Sequence, residues 1–97
     1  MTKHPTSGEA WEWDDGNEAE LAAHRISPDD VYEVWENSPI WVPNIRRRAG
    51  DWKMLGATNS GRLLTIVLRF YPDRRVLRAI TGWKATASER SRYLEGS

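Results

Sequence analysis

The sequence has no cysteine, which excludes both a disulfide framework and a thiolate metal site. Its two histidines, His4 and His24, are too far apart to have metal-ligand spacing. No apolar run approaches the roughly 18 residues of a membrane-spanning helix. A leader-type apolar segment is missing as well, so a soluble, cytoplasmic protein is the expectation, with no membrane partner. Gly-rich phosphate loops, paired-carboxylate motifs and metal motifs are all absent, and neither a cofactor nor a metal is expected. Net charge is missing too, since 14 basic side chains meet 14 acidic ones.

What is present is unevenly placed. Residues 1–45 hold two basic side chains, Lys3 and Arg25, against ten acidic ones; residues 46–97 hold twelve basic against four acidic. The chain is therefore −8 in its first half and +8 in its second. Ten of those twelve cations are arginines, whose planar forks suit phosphate. Either a basic surface meets a polyanion or the two halves neutralise each other across the fold. Six tryptophans supply large apolar area to a chain of 97 residues, a length that suits one domain. Residues 1–9, polar and carrying Pro5 and Gly8, read as a flexible tail before a single domain over 10–97.

Trp11-Glu12-Trp13 alternates as a short strand does. Asp14 or Asp15 then caps a helix running to about Arg25, whose first turn Gly16 and Asn17 weaken. Ser27, Pro28 and the acidic pair Asp29-Asp30 mark a second helix start. Val31, Val34 and Trp35 follow at helical spacing, and Asn37-Ser38-Pro39 ends the element. Strands are expected from Ile40, irregularly past Pro43 towards the arginines at 46–48, then over 52–58, 63–70 and 76–81. Turns at 49–51, 59–61 and 71–74 separate them. The nearly continuous apolar run from Leu63 to Phe70 predicts a central strand covered on both faces. Val76, Arg78 and Ile80 should share one face of the last strand. Trp41 and Trp52, in adjacent strands, are placed to pair across them. Thr86 and Glu89 have capping-box spacing for a closing helix that ends near Gly96. The order predicts an α+β fold: an antiparallel sheet of about four or five strands, two N-terminal helices and a short C-terminal one.

No nucleophile–base pair stands out, but the cations and aromatics suit RNA. Attack of a 2′-hydroxyl on the adjacent phosphate builds charge that guanidinium and ammonium groups stabilise, while an acid and a base move two protons. Aromatic rings can hold unstacked bases. Arg78, Lys84, His24 and Tyr93 are the candidates for catalysis. Arg48, Lys53, Arg62, Arg69, Arg90, Arg92 and Trp83 are the candidates for holding RNA. Each has a plainer reading: His24 as a helix cap, Tyr93 as a ring packed on the sheet, Lys53 and Arg62 as guards of a hairpin. Arg69, interrupting an apolar strand, must reach a rim, a carboxylate or a ligand.

These residues also resemble a family. Glu12-Trp13-Asp14 followed by Asn17, Leu21 and His24 is similar to the opening of BrnT-like toxins. Asp30-Val31, Glu33-Val34 and Pro39 resemble their second helix and its exit, and Arg48, Leu55-Gly56 and Gly61-Arg62-Leu63-Leu64 their central hairpin. Ile80-Thr81, Lys84-Ala85-Thr86, Glu89-Arg90 and Tyr93 resemble the closing signature, and together the matches cover roughly residues 11–95. The resemblance implies a RelE-like fold and a metal-independent endoribonuclease, the toxin of a type II toxin–antitoxin system, that cleaves cellular RNA and inhibits translation. It also implies a BrnA-type ribbon-helix-helix antitoxin, through which alone the toxin meets DNA. Three positions depart from the pattern: Trp83 stands where a second basic residue is common, Gly82 where a small residue is followed by arginine, and Arg25 where glycine follows the histidine. A BrnT-like interaction module of impaired catalysis, binding an antitoxin or nucleic acid through its basic face, is the alternative. A stand-alone DNA-binding domain is disfavoured because the early helices are acidic.

Overall fold

The computed structural model describes residues 4–45 and 50–96. Strand β1 (Ala10–Trp11) leads into helices α1 (Asp15–Ala23) and α2 (Pro28–Glu36). Strands β2 (Ile40–Pro43), β3 (Trp52–Ala57), β4 (Leu63–Tyr71) and β5 (Val76–Lys84) follow, and α3 (Ala87–Gly96) closes the chain. The fold is α+β, built on one five-stranded sheet in the order β1-β5-β4-β3-β2. The sheet is mixed rather than antiparallel throughout. β2 to β5 form the expected meander, but β1 adds at its edge parallel to β5, pairing Ala10 with Val76 and Trp11 with Leu77.

Alternation along β4 explains the layers. Leu64, Ile66, Leu68 and Phe70 point to one face and meet Leu21 of α1, Ile26, and Val31 and Val34 of α2 in a common core. Fully burying such side chains contributes about 1.5–3 kcal/mol each. Thr65, Val67 and Arg69 point to the opposite face, which α3 partly covers; its last residues reach Ile40 of β2. Every residue from Leu63 to Leu68 is buried, as expected of a central strand. The first helix is better made than its sequence promised. Asp14 and Asn17 form a reciprocal capping box, and the Asn17 amide also donates to the carbonyls of Glu12 and Ala79, 3.0 Å each. Ser27 with Asp30, and Thr86 with Glu89, make the two further boxes.

Three other expectations change. β5 runs on to Lys84, so Trp83 and Lys84 lie within the strand, Trp83 opposite Thr65. A bulge in the β4–β5 pairing, where Val67 faces Thr81 but Leu68 faces Ala79, leaves Ile80 without a ladder partner and breaks the alternation beyond it. Trp41 and Trp52 do not pair directly, being opposite Met54 and Pro43. The His4 ring packs against both instead, 4.8 Å from Trp52 and 6.5 Å from Trp41. The segment read as a tail thus makes contacts from His4 onward, with a short 3₁₀ turn over Pro5–Ser7. The arginines at 46–48 lie outside the described residues, as does any continuation of β2 into them. Among the described residues no helix is long and apolar enough to cross a membrane.

Candidate functional site

The charge split of the sequence resolves into ion pairs across the fold. Arg78 reaches Asp14 at 2.8 Å and Glu12 at 3.4 Å. Arg74 also reaches Glu12, Arg75 reaches Glu9, and Arg62 reaches Asp30 while donating to the Arg25 carbonyl at 2.8 Å. In each pair a carboxylate of the acidic half meets an arginine of the basic half. Arg69, facing Arg78 across the β4–β5 ladder, is held by Asp51 at 3.7 Å. Arg78, a candidate for catalysis by sequence, is only 21% exposed and clasped by two carboxylates. Burial by itself would lower its pKa, but pairing with Asp14 and Glu12 outweighs this and raises it. The Asn17 backbone N–H, then the Arg78 guanidinium, hold the Asp14 carboxyl below its ordinary range.

Among the described cations of the second half, this pairing leaves Lys53, Lys84, Arg90 and Arg92 without a described carboxylate in ion-pair range. All four border α3. On one side of the helix, Lys84 and Arg90 line a depression with Gly61, Arg62 and Leu63. On the other, Lys53 and Arg92 line a pocket of about 260 Å³ whose apolar wall is Val42 and Leu55. The residues responsible are brought together by simple means. Lys53 projects from β3 on the α3 side of the sheet by alternation with Met54, which is in the core. Lys84 ends β5, and the Thr86 cap starts α3 within a turn of it.

Glu89 anchors that helix. Its carboxylate accepts from the Trp83 indole N–H at 3.0 Å and from the Thr86 backbone N–H at 2.9 Å. Burial pushes its pKa up, but the hydrogen bonds from Thr86, Trp83 and Thr65 outweigh burial and leave it below the ordinary range. Trp83 is therefore tied down through its nitrogen, with Lys53 Nζ 5.8 Å from its ring centre. Thr65, 1% exposed, also lines this pocket, and its hydroxyl, which meets no partner in close hydrogen-bond geometry, helps to hold the Glu89 carboxyl low.

The remaining candidates divide. Tyr93 lies half-buried on α3. His24 stands on the opposite layer, at the C-cap of α1, its ring 41% exposed and 3.3 Å from Glu20. Arg48 is outside the described residues. Of the candidates named from sequence, Lys53, Lys84, Arg90, Arg92 and Trp83 lie around α3, while His24, Arg62, Arg69 and Arg78 are paired with carboxylates. The sequence reading missed Glu89 as more than a cap, together with Thr65. A hydroxyl interrupting the apolar run of β4 was the available signal. No group of residues that could hold a metal ion occurs among the described ones. No protein-family model matches the chain, and no curated protein matches its sequence.

Proposed function

We propose that this chain is a BrnT-like ribonuclease toxin that holds single-stranded RNA along the two sides of α3. The observation that carries the reading is selective neutralisation. The acidic half quenches the arginines at 62, 74, 75 and 78, while Lys53, Lys84, Arg90 and Arg92 stay available around one helix. Cations without carboxylate partners are what a phosphate chain requires, and their charge stabilises the phosphorane-like oxygens formed when a 2′-hydroxyl attacks. Lys84 and Arg90 are assigned to the scissile phosphate, with Tyr93 on the same helix. Arg78 is assigned to holding β5 to the start of α1 rather than to the phosphate, since a phosphate there would have to displace Asp14 and Glu12.

The test is incubation of the purified protein with RNA in excess chelator. Cleavage leaving 5′-hydroxyl ends, and lost in Lys84→Ala/Arg90→Ala, is expected. Intact RNA refutes the enzyme. The reading carries with it a BrnA-like ribbon-helix-helix antitoxin that covers this face and supplies the only contact with DNA.

A second reading is a binding module using the same face without chemistry. It is favoured by one observation: no imidazole lines either depression, and His24 is paired with Glu20 on the other layer. It predicts RNA bound and left whole.

A further inference from the structure

We infer that the aromatic, acidic face of α1 and α2 is a docking surface for α3 of a second copy of this chain, so that the protein associates head to tail. What this does to RNA rests on the RNA-directed reading above; the association itself does not. The two faces lie on opposite sides of the sheet. α1 and α2 pack on the side of Leu64, Ile66 and Leu68, and α3 lies across the other. A charge of −8 in one half and +8 in the other leaves the chain neutral, so copies lack the overall repulsion that keeps like molecules apart.

The helix face offers more than charge. Trp13, Tyr32 and Trp35 are only half-buried, and with Trp11 they form one cluster with ring centres 5.9 to 6.5 Å from their neighbours. Asp29 and Glu36 stand at i−3 and i+4 from Tyr32 on α2, and both are exposed with no described cation in ion-pair range. Asp15 and Glu18 are placed likewise on α1. α3 presents the complement. It buries none of its described side chains, and Ala87, Arg90, Ser91 and Leu94 make one exposed stripe at i, i+3, i+4 and i+7. Leu94, 66% exposed, is an apolar knob on that stripe. A guanidinium such as that of Arg90 can lie on an aromatic ring and pair with a carboxylate beside the ring, while the leucine covers the ring edges left open. The two patches differ, so the interface is heterologous: each copy keeps one face open, and association continues into rings or chains. Exposed ion pairs contribute little each, so the association is weak, micromolar and salt-sensitive. It places Asp29 and Glu36 of one copy over Lys84 and Arg90 of the next. RNA and the second copy therefore exclude each other, and concentrated protein masks its own RNA face.

The test is sedimentation velocity of the whole protein between about 10 and 200 μM, at about 50 and 300 mM salt. At low salt the sedimentation coefficient should rise with protein concentration, and at high salt it should stay that of a monomer. Asp29→Asn/Glu36→Gln and Arg90→Gln/Leu94→Ser should each lose the rise. Mixing the two variants should restore pairs, because one keeps an intact α3 and the other an intact helix face. Asp73→Asn, equally exposed but in the β4–β5 turn, should associate as the native protein does. All these positions are exposed, and circular dichroism checks that each variant keeps its fold. A native protein that stays monomeric at every concentration in low salt overturns the proposal. So does association that persists in high salt, that survives Asp29→Asn/Glu36→Gln, or that mixing fails to restore. An oligoarginine peptide held by Asp29 and Glu36 of a protein that does not self-associate would give the face to another basic partner, and overturns it too. An RNA oligonucleotide should return the native assembly to single copies. Assembly unchanged by RNA would leave the docking standing and remove RNA from the α3 face, whereas RNA cleavage by a strictly monomeric protein would do the reverse.

Discussion

Replacing Lys84 and Arg90 together by alanine should change how RNA binding depends on salt, whereas replacing Arg74 and Arg75 should not. Both double variants remove the same charge from the same half of the chain, so net charge cannot separate them. Their partners do. Arg74 and Arg75 are already engaged by Glu12 and Glu9 at 3.3 and 3.2 Å, and Lys84 and Arg90 face a depression without a described carboxylate partner. Each phosphate neutralised on a single strand contributes about 0.7 to the slope of log affinity against log salt. Losing two contacts should therefore flatten the slope by about 1.4, and between 50 and 200 mM salt the native protein should lose about sevenfold more affinity than the variant. Fluorescence anisotropy of a labelled RNA oligonucleotide over that range measures it. An equal flattening in Arg74→Ala/Arg75→Ala, or none in Lys84→Ala/Arg90→Ala, would refute the idea that ion pairing selects the RNA surface.

Three stability predictions follow from the same geometry. Arg25 sits at φ 61°, just past the C-cap of α1. Arg25→Gly relieves about 1–2 kcal/mol of left-handed strain and gives back about 0.5–1 kcal/mol in unfolded-state freedom. A rise in melting temperature of about 2–8 °C is expected, and a fall would contradict it. Asn17→Ala strands the carbonyls of Glu12 and Ala79 and the N–H of Asp14, and should cost about 3 kcal/mol in urea unfolding; a loss under about 1 kcal/mol would mean that water replaces the amide. Asp14 and Glu89 both have depressed pKa values. Their contribution is complete above the ordinary carboxylate range and is lost as pH falls below that range and through the depressed values. In Trp83→Phe the Glu89 carboxylate loses the indole donor, so helix signal should fade at a higher pH than in the native protein when followed by circular dichroism.

The elements of this fold were legible where local chemistry decides them. Ser27-Pro28, the Thr86–Glu89 box and the run from Leu63 to Phe70 each carry their own signal, and each element lies where it was expected. What was not legible depends on residues distant in sequence. β1 is two residues long and parallel to β5, an arrangement that Trp11-Glu12-Trp13 cannot announce because its partner, Leu77, is 66 residues away. β5 runs past its expected end at Thr81; Gly82 lies against the Thr65 carbonyl and Ile26, where an added Cβ would come within 2.9 and 3.1 Å, so the strand continues only because the residue is small. The pairing of Arg78 was hidden for a similar reason. Its exposure could be argued from the strand pattern, but the carboxylates that occupy it come from the residue after β1 and from a helix cap.

Those carboxylates give the zero net charge its meaning. A chain with separated charge can form one basic face only if its acidic half is kept away from it, and α1, α2 and β1 lie on or beside the layer opposite α3. From there their acids reach the sheet end and edge, where Arg62, Arg74, Arg75 and Arg78 are found, but not the groove sides where Lys53, Lys84, Arg90 and Arg92 stand. Glu89, an acid of α3 that lines that groove, is engaged by Trp83 and Thr86 rather than by a cation. This gives Trp83 a reason to stand where the resembling family commonly has a basic residue. A cation at that position would pair with Glu89 and remove one acceptor and one charge from the groove at the same time. An indole donates a single N–H, keeps the carboxylate anionic, and offers its ring to Lys53. Trp83→Arg should therefore bind RNA no more tightly despite its added formal positive charge, an outcome opposite to the one expected if charge alone governed binding. Fluorescence anisotropy of a labelled RNA oligonucleotide decides between them: tighter binding by the arginine variant would show that Trp83 only fills space.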